Sequence, residues 1–187
     1  MLKVILIGDS IRMGYQSLVA ELLAGRAEVW GPEENGGDSR NVLAFLGAWA
    51  LGRAVDVIHF NCGLHDCRLF EETGFQVPVE EYARNLGKIV EMLKSETSAE
   101  LIWATITPVH DARQAKSRSD FRRTQVDVER YNRAALEVVN RAGLRVNDLH
   151  GVVERAGVAT CLSPDGVHMT GDASRLLAQA VADAVMK

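Results

Sequence analysis

The chain has 187 residues, 47% hydrophobic and 25% charged, enough to bury the core of one globular domain with little length left for a second. Its 21 basic and 25 acidic side chains give a formal charge of −4, and no run of like charge is long enough to grip a polyanion, so nucleic acid is not an expected partner. Three cysteines do not make a disulfide framework, and no apolar stretch approaches the ~20 residues that cross a bilayer; the expectation is a reducing, cytoplasmic setting without a membrane anchor.

In chain order, the apolar run over residues 2–7 predicts a strand and lacks the basic flank and cleavage site of a secretory leader. Helical spacing over 14–24 and a second strand over 27–30 follow, then a turn-rich loop at 31–38 carrying Pro32, Asn35, Gly36 and Gly37. A helix over 39–51, a strand over 55–60, a helix over 79–94 and a strand over 101–106 continue the alternation. The polar segment 108–121 reads either as a solvated excursion or as a rim over a site. A helix over 124–142, a short strand over 144–146 and a helix over 171–186 complete the chain. Alternating strands and helices imply crossover units and a parallel sheet covered on both faces. The predicted fold is therefore α/β, a three-layer α/β/α sandwich of flavodoxin-like kind with a five-stranded parallel sheet, and no repeat or linker divides residues 1–187 into more than one domain.

Ligands of such sheets bind at the carboxyl ends of the strands, where loops converge and helix N-termini present free N–H groups. The first strand delivers Gly8-Asp9-Ser10 to that edge and the third delivers Asn61-Cys62-Gly63-Leu64-His65-Asp66. The second leads to Gly36-Gly37-Asp38-Ser39, and the loop before the last helix carries Asp165-Gly166-Val167-His168. A serine becomes a nucleophile when a base takes its proton and donors await the oxyanion. A carboxylate three residues ahead of a histidine can accept from Nδ1–H and leave Nε2 free as that base. Gly-Asp-Ser occurs twice: Ser10 follows an apolar strand and is the candidate nucleophile, whereas Ser39 reads as a helix cap.

Together these blocks resemble the SGNH/GDSL hydrolases over nearly the whole chain. The resemblance implies Ser10 as nucleophile, His168 as general base and Asp165 as its orienting partner, with oxyanion donors from Ser10 and Gly37. It also carries a departure: the family's Gly-x-Asn-Asp block reads Gly63-Leu64-His65-Asp66, so His65 stands where an asparagine amide usually completes the oxyanion hole. An imidazole still offers a donor. The implied reaction is hydrolysis of a small-molecule ester through an acyl-enzyme without cofactor or metal, with a short acyl group, acetyl on a carbohydrate included, as the expected substrate.

Asp9, Arg12, Asn61 and His110 are further candidates for touching substrate, and Tyr15 follows the nucleophile on the same helix. Cys62, His65, Asp66 and Cys67 sit close together, but no second ligand pair accompanies them, so the cysteines read as buried small side chains and not as a zinc site. Trp30, Trp49, Trp103 and His59 read as core, and Tyr131 and Asn132 as packing against the sheet. Two other classes share the pattern: a flavodoxin-like binding or signalling module, and a catalytically weakened SGNH-fold protein that binds a carbohydrate or acyl ligand. The oligomeric state is not legible in the sequence.

Overall fold

The computed structural model describes residues 1–118 and 120–187. Five parallel strands, β1 (Leu2–Ile7), β2 (Ala27–Trp30), β3 (Val57–Phe60), β6 (Glu100–Ala104) and β7 (Arg145–Asn147), lie in the order β2-β1-β3-β6-β7. The pairing runs Ile7 beside Phe60, Ile58 beside Leu101 and Trp103 beside Val146. Every residue of β3 is buried, as is β1 from Val4 onward, which is why these strands read as continuous apolar runs.

Two groups of helices cover the sheet. α8 (Gly171–Val185) packs on α1 (Ser10–Leu22) and α6 (Leu149–Ala156), and α3 (Val79–Glu96) packs on α2 (Ser39–Trp49) and α5 (Gln125–Arg141). Phe60 and Trp103 meet edge to face at 5.3 Å in the core, and Tyr82 and Tyr131 lie 5.2 Å apart beside them. Trp49 and Trp103 are core residues as expected; Trp30 is half-buried and lies under the Arg53 guanidinium at 4.3 Å. No helix among the described residues is long and apolar enough to cross a membrane.

The elements that sequence patterning misses are short. They are the antiparallel pair β4 (Leu69–Phe70) and β5 (Gly74–Phe75), α4 (Asp111–Ser117), α6 (Leu149–Ala156) and α7 (Val158–Cys161). About two helical turns or fewer, or two paired residues, show too little of a period to detect. A second difference is α1, which starts at Ser10 and not at residue 14, because the Asp9 side chain accepts the Ile11 N–H and caps it. Strand order reverses between β1, whose neighbour on one side is β2, and β3, from which the sheet grows the other way. Crevices at such switch points are where α/β sheets hold ligands.

Candidate active site

The same local device is built at two strand ends, and its outcome differs. In Gly8-Asp9-Ser10 and in Gly37-Asp38-Ser39 the aspartate is the N-cap and the serine is the first helical residue. Ser39 is not the cap the sequence suggests: it is fully buried, accepts from the Asn85 amide at 3.0 Å, and its N–H donates to both Asp66 carboxylate oxygens at 3.0 Å. Ser10 instead faces the loop before α8, with its Oγ 2.9 Å from His168 Nε2. His168 Nδ1 lies 2.5 Å from Asp165 Oδ2, and Asp165 Oδ1 accepts from the Ser163 hydroxyl and from the N–H groups of Val167 and His168. Hydroxyl, imidazole and carboxylate from opposite ends of the chain thus form one hydrogen-bonded line. Burial alone would raise the Asp165 pKa, but these hydrogen bonds outweigh it and hold the carboxyl well below the usual carboxylate range. An ionised Asp165 fixes the tautomer that leaves Nε2 free to accept the Ser10 proton.

The loop carrying Asp165 and His168 is pinned to the segment after β6. His110 N–H donates to Gly166 O at 2.8 Å, Ser117 Oγ to Asp165 O at 3.1 Å, and Arg113 to Leu162 O at 2.8 Å. The described residues of the polar segment 108–121 therefore form a rim over the site, built around α4, and not a solvated excursion. Ser10, Leu64, His65, Arg68, Gln114, Ser117, Arg118, Phe121, Arg123, Asp165, Val167 and His168 line a cavity of about 60 Å³.

The candidate oxyanion donors differ in readiness. As the first residue of α1, Ser10 has an N–H that the helix itself leaves without a partner. Gly37 adopts φ 63°, and its N–H donates to Asn35 Oδ1 at 2.9 Å, so that donor is shared with a side chain the sequence marks only as a turn residue. His65 lines the cavity, and Arg68 Nη2 lies 3.4 Å from its Nε2. A guanidinium only donates, so Nε2 accepts and the ring proton sits on Nδ1. Burial, with Arg68 and Arg123 alongside, lowers the His65 pKa to about 3, so the ring is neutral and offers a single N–H.

The four residues named as candidate substrate contacts all make contacts within the scaffold. Asp9 is buried as the α1 cap, and Arg12 is only 3% exposed. Its guanidinium donates to Pro32 O, Glu34 O and Gln16 Oε1 at 2.7 to 2.8 Å, tying α1 to the loop that carries Gly37. Asn61 donates to Ala104 O at 2.6 Å, and together with Asp9 and Tyr15 it lines a separate, water-sized cavity beneath the site. His110 contributes its backbone N–H, not its ring, and lies outside the Ser10 cavity. Cys62 and Cys67 are buried, free thiols.

The fold and this edge define an α/β/α sandwich with a serine, a histidine and an aspartate at its switch point, and the resemblance to SGNH/GDSL hydrolases extends to three dimensions. No family profile matches the chain. A rice (Oryza sativa subsp. japonica) GDSL esterase/lipase, WDL1, is 28% identical over 114 residues, 58% of this chain and 44% of that protein, so the match spans under half of the relative. The lipase/acylhydrolase from Enterococcus faecalis superposes with a TM-score of 0.81 at 22% identity, covering 99% of this chain and 95% of that one. An acetyl xylan esterase, AlAXEase, gives 0.79 at 19% identity over 98% and 100%. The chain has the SGNH hydrolase fold.

Proposed function

We propose that the 187 residues act as one SGNH hydrolase domain and that the chain is a carboxylic ester hydrolase, with Ser10, His168 and Asp165 as its triad. The observation that carries this is the 2.9 Å approach of Ser10 Oγ to His168 Nε2, backed by the 2.5 Å contact with Asp165. His168 takes the hydroxyl proton as Oγ adds to the ester carbonyl. The N–H of Ser10, the Gly37 N–H on release from Asn35, and the His65 N–H receive the oxyanion. Collapse expels the alcohol with the proton from His168, leaving an acyl-serine, and water repeats the sequence to release the acid and restore Oγ–H. The small cavity beside Ser10 favours a short acyl group, and the acetyl xylan esterase among the structural neighbours is in keeping with acetyl. Nothing in the site asks for a metal or a cofactor.

Ser10→Ala lowers hydrolysis of 4-nitrophenyl acetate by about 1000-fold or more while the thermal melt stays near that of the wild type. Retained turnover in this variant, measured with the chain's other serines intact, overturns the assignment.

A further inference from the structure

The rim of the site holds three arginines with no carboxylate partner. Among the described residues, neither Arg68, Arg118 nor Arg123 enters an ion pair, although the chain as a whole carries a charge of −4. Their placement is architectural. Leu69 and Arg122 exchange backbone hydrogen bonds at 2.8 and 3.0 Å as an antiparallel bridge, so Arg68 falls beside Arg123, and Phe70 beside Phe121. Residues flanking such a pair share a face. The guanidiniums of Arg68, Arg118 and Arg123 accordingly surround the Phe121 ring at 4.7, 5.4 and 5.3 Å from its centroid. All three line the cavity that holds Ser10 and His168.

Like charges held opposite one another across a bridge oppose folding, so this trio is a cost that the fold itself does not need. Donors are also left over. Arg123 and Gln114 are 4% and 1% exposed, and Arg123 Nε, Arg68 Nε and Gln114 Nε2 are buried without an acceptor. Of the carboxylates nearby, Asp165 is committed to His168 and Asp38 to Gln76 and the α2 N-terminus, while Asp9 bonds the α1 N-terminus through Oδ1 and keeps Oδ2 buried without a donor. Burial, with Arg123 and Arg118 alongside, lowers the pKa of Arg68, and burial is the main cause that lowers that of Arg123, with Arg118 adding to it. A larger groove of about 670 Å³ between β4–β5 and α4 shares Arg118 and Phe121 with the Ser10 cavity, with room for the rest of a substrate.

Deepening the esterase reading, on which it rests, we propose that Arg68, Arg118 and Arg123, with the Gln114 amide, form an anion subsite, and that the substrate is an ester carrying a carboxylate, phosphate or sulfate group on its acid or its alcohol part. Planar guanidiniums suit such groups because they donate in pairs to neighbouring oxygens. Matched esters test this and separate the two arrangements. 4-Nitrophenyl hydrogen succinate against its neutral methyl ester puts the charge on the acid part, and 4-acetoxybenzenesulfonate against 4-acetoxybenzenesulfonamide puts it on the alcohol part. In one pair kcat/KM for the charged ester exceeds that of its neutral partner by about 10-fold or more at low salt, and the ratio falls towards one at high salt.

Arg68→Gln and Arg118→Gln each collapse that ratio; Arg118 is exposed, so its variant reports even if Arg68→Gln fails to fold. Ser10-dependent hydrolysis of the neutral esters with no charged-ester preference in either pair, or a preference that survives in Arg118→Gln, overturns the subsite and leaves the esterase standing. If no ester is hydrolysed, the esterase reading falls and titration calorimetry with inorganic sulfate and phosphate decides the subsite. Binding that is lost in Arg118→Gln upholds it, and absence of binding to the wild type removes it.

Discussion

Arg12 shows how one residue can hold a site together without touching it. Its guanidinium satisfies two loop carbonyls and the Gln16 side chain from a position 3% exposed, and those carbonyls belong to the loop that presents Gly37. Removing it strands one buried acceptor, Pro32 O, and two part-buried ones, and a buried acceptor left unpaired costs about 1 to 3 kcal/mol. Arg12→Met therefore lowers unfolding stability by about 2 to 4 kcal/mol in urea denaturation. Arg12→Lys does not restore it, since a single ammonium cannot reproduce the fork. The sequence places Arg12 two residues after the nucleophile and leaves its role open, because helical position does not say whether the loop folds back over it. Ser10 and Ser39 make the same point: identical triplets cap two helices in the same way, and only the opposing element decides that one hydroxyl meets an imidazole and the other a buried amide.

At the scale of elements, the loop from Ser163 to Thr170 is fixed from below by α4, which is seven residues long. Gly166 sits at φ 74°, and a Cβ there would lie 2.7 Å from His110 O and 2.8 Å from Arg113 Cβ. Gly166→Ala meets both strain and collision, of order 1 to 3 kcal/mol, and must move the loop that carries Asp165 and His168. We expect a melting temperature lower by about 3 to 10 °C together with reduced kcat for 4-nitrophenyl acetate. A variant with an unchanged melt and unchanged kcat would show that α4 does not position the loop. The rim that α4 builds was one of two readings of a polar segment. Its residues alternate between solvent and site with too few turns for a pattern to emerge. Arg68 and Arg123 were missed for a related reason: the bridge that sets them side by side joins segments more than fifty residues apart and is a single residue pair.

For the molecule as a whole, the sheet core contains a histidine. His59 is fully buried on β3, its Nε2 is met only by the Asn147 amide at 3.1 Å, and burial lowers its pKa to about 4. Between pH 6.5 and 4 the unfolded chain therefore binds a proton that the folded chain refuses, so this group withdraws stability as the pH falls through that window. The full difference corresponds to about 3 kcal/mol. Asp66, whose pKa burial raises to about 7, acts in the opposite sense over an overlapping range, because the folded state keeps a proton the unfolded state releases. A comparison isolates the histidine: urea unfolding at pH 7 and pH 4.5 gives a loss on acidification that is smaller by about 2 to 3 kcal/mol in His59→Asn than in the wild type. Equal losses would mean that His59 ionises in place.

The sequence by itself determined the alternation of strands and helices, the parallel α/β/α sandwich, and which segments reach the carboxyl edge, because burial on two faces and helical periodicity are written locally in residue order. It also marked Ser10, Asp165 and His168 as chemically suited to one another. Only the tertiary structure decided that these three align, that Asp9, Arg12, Asn61 and His110 make contacts within the scaffold, and that Gly37 shares its N–H with Asn35. It alone gathered three arginines around Phe121. Those outcomes depend on distances between segments far apart in the chain, which residue order does not encode until the sheet has set them.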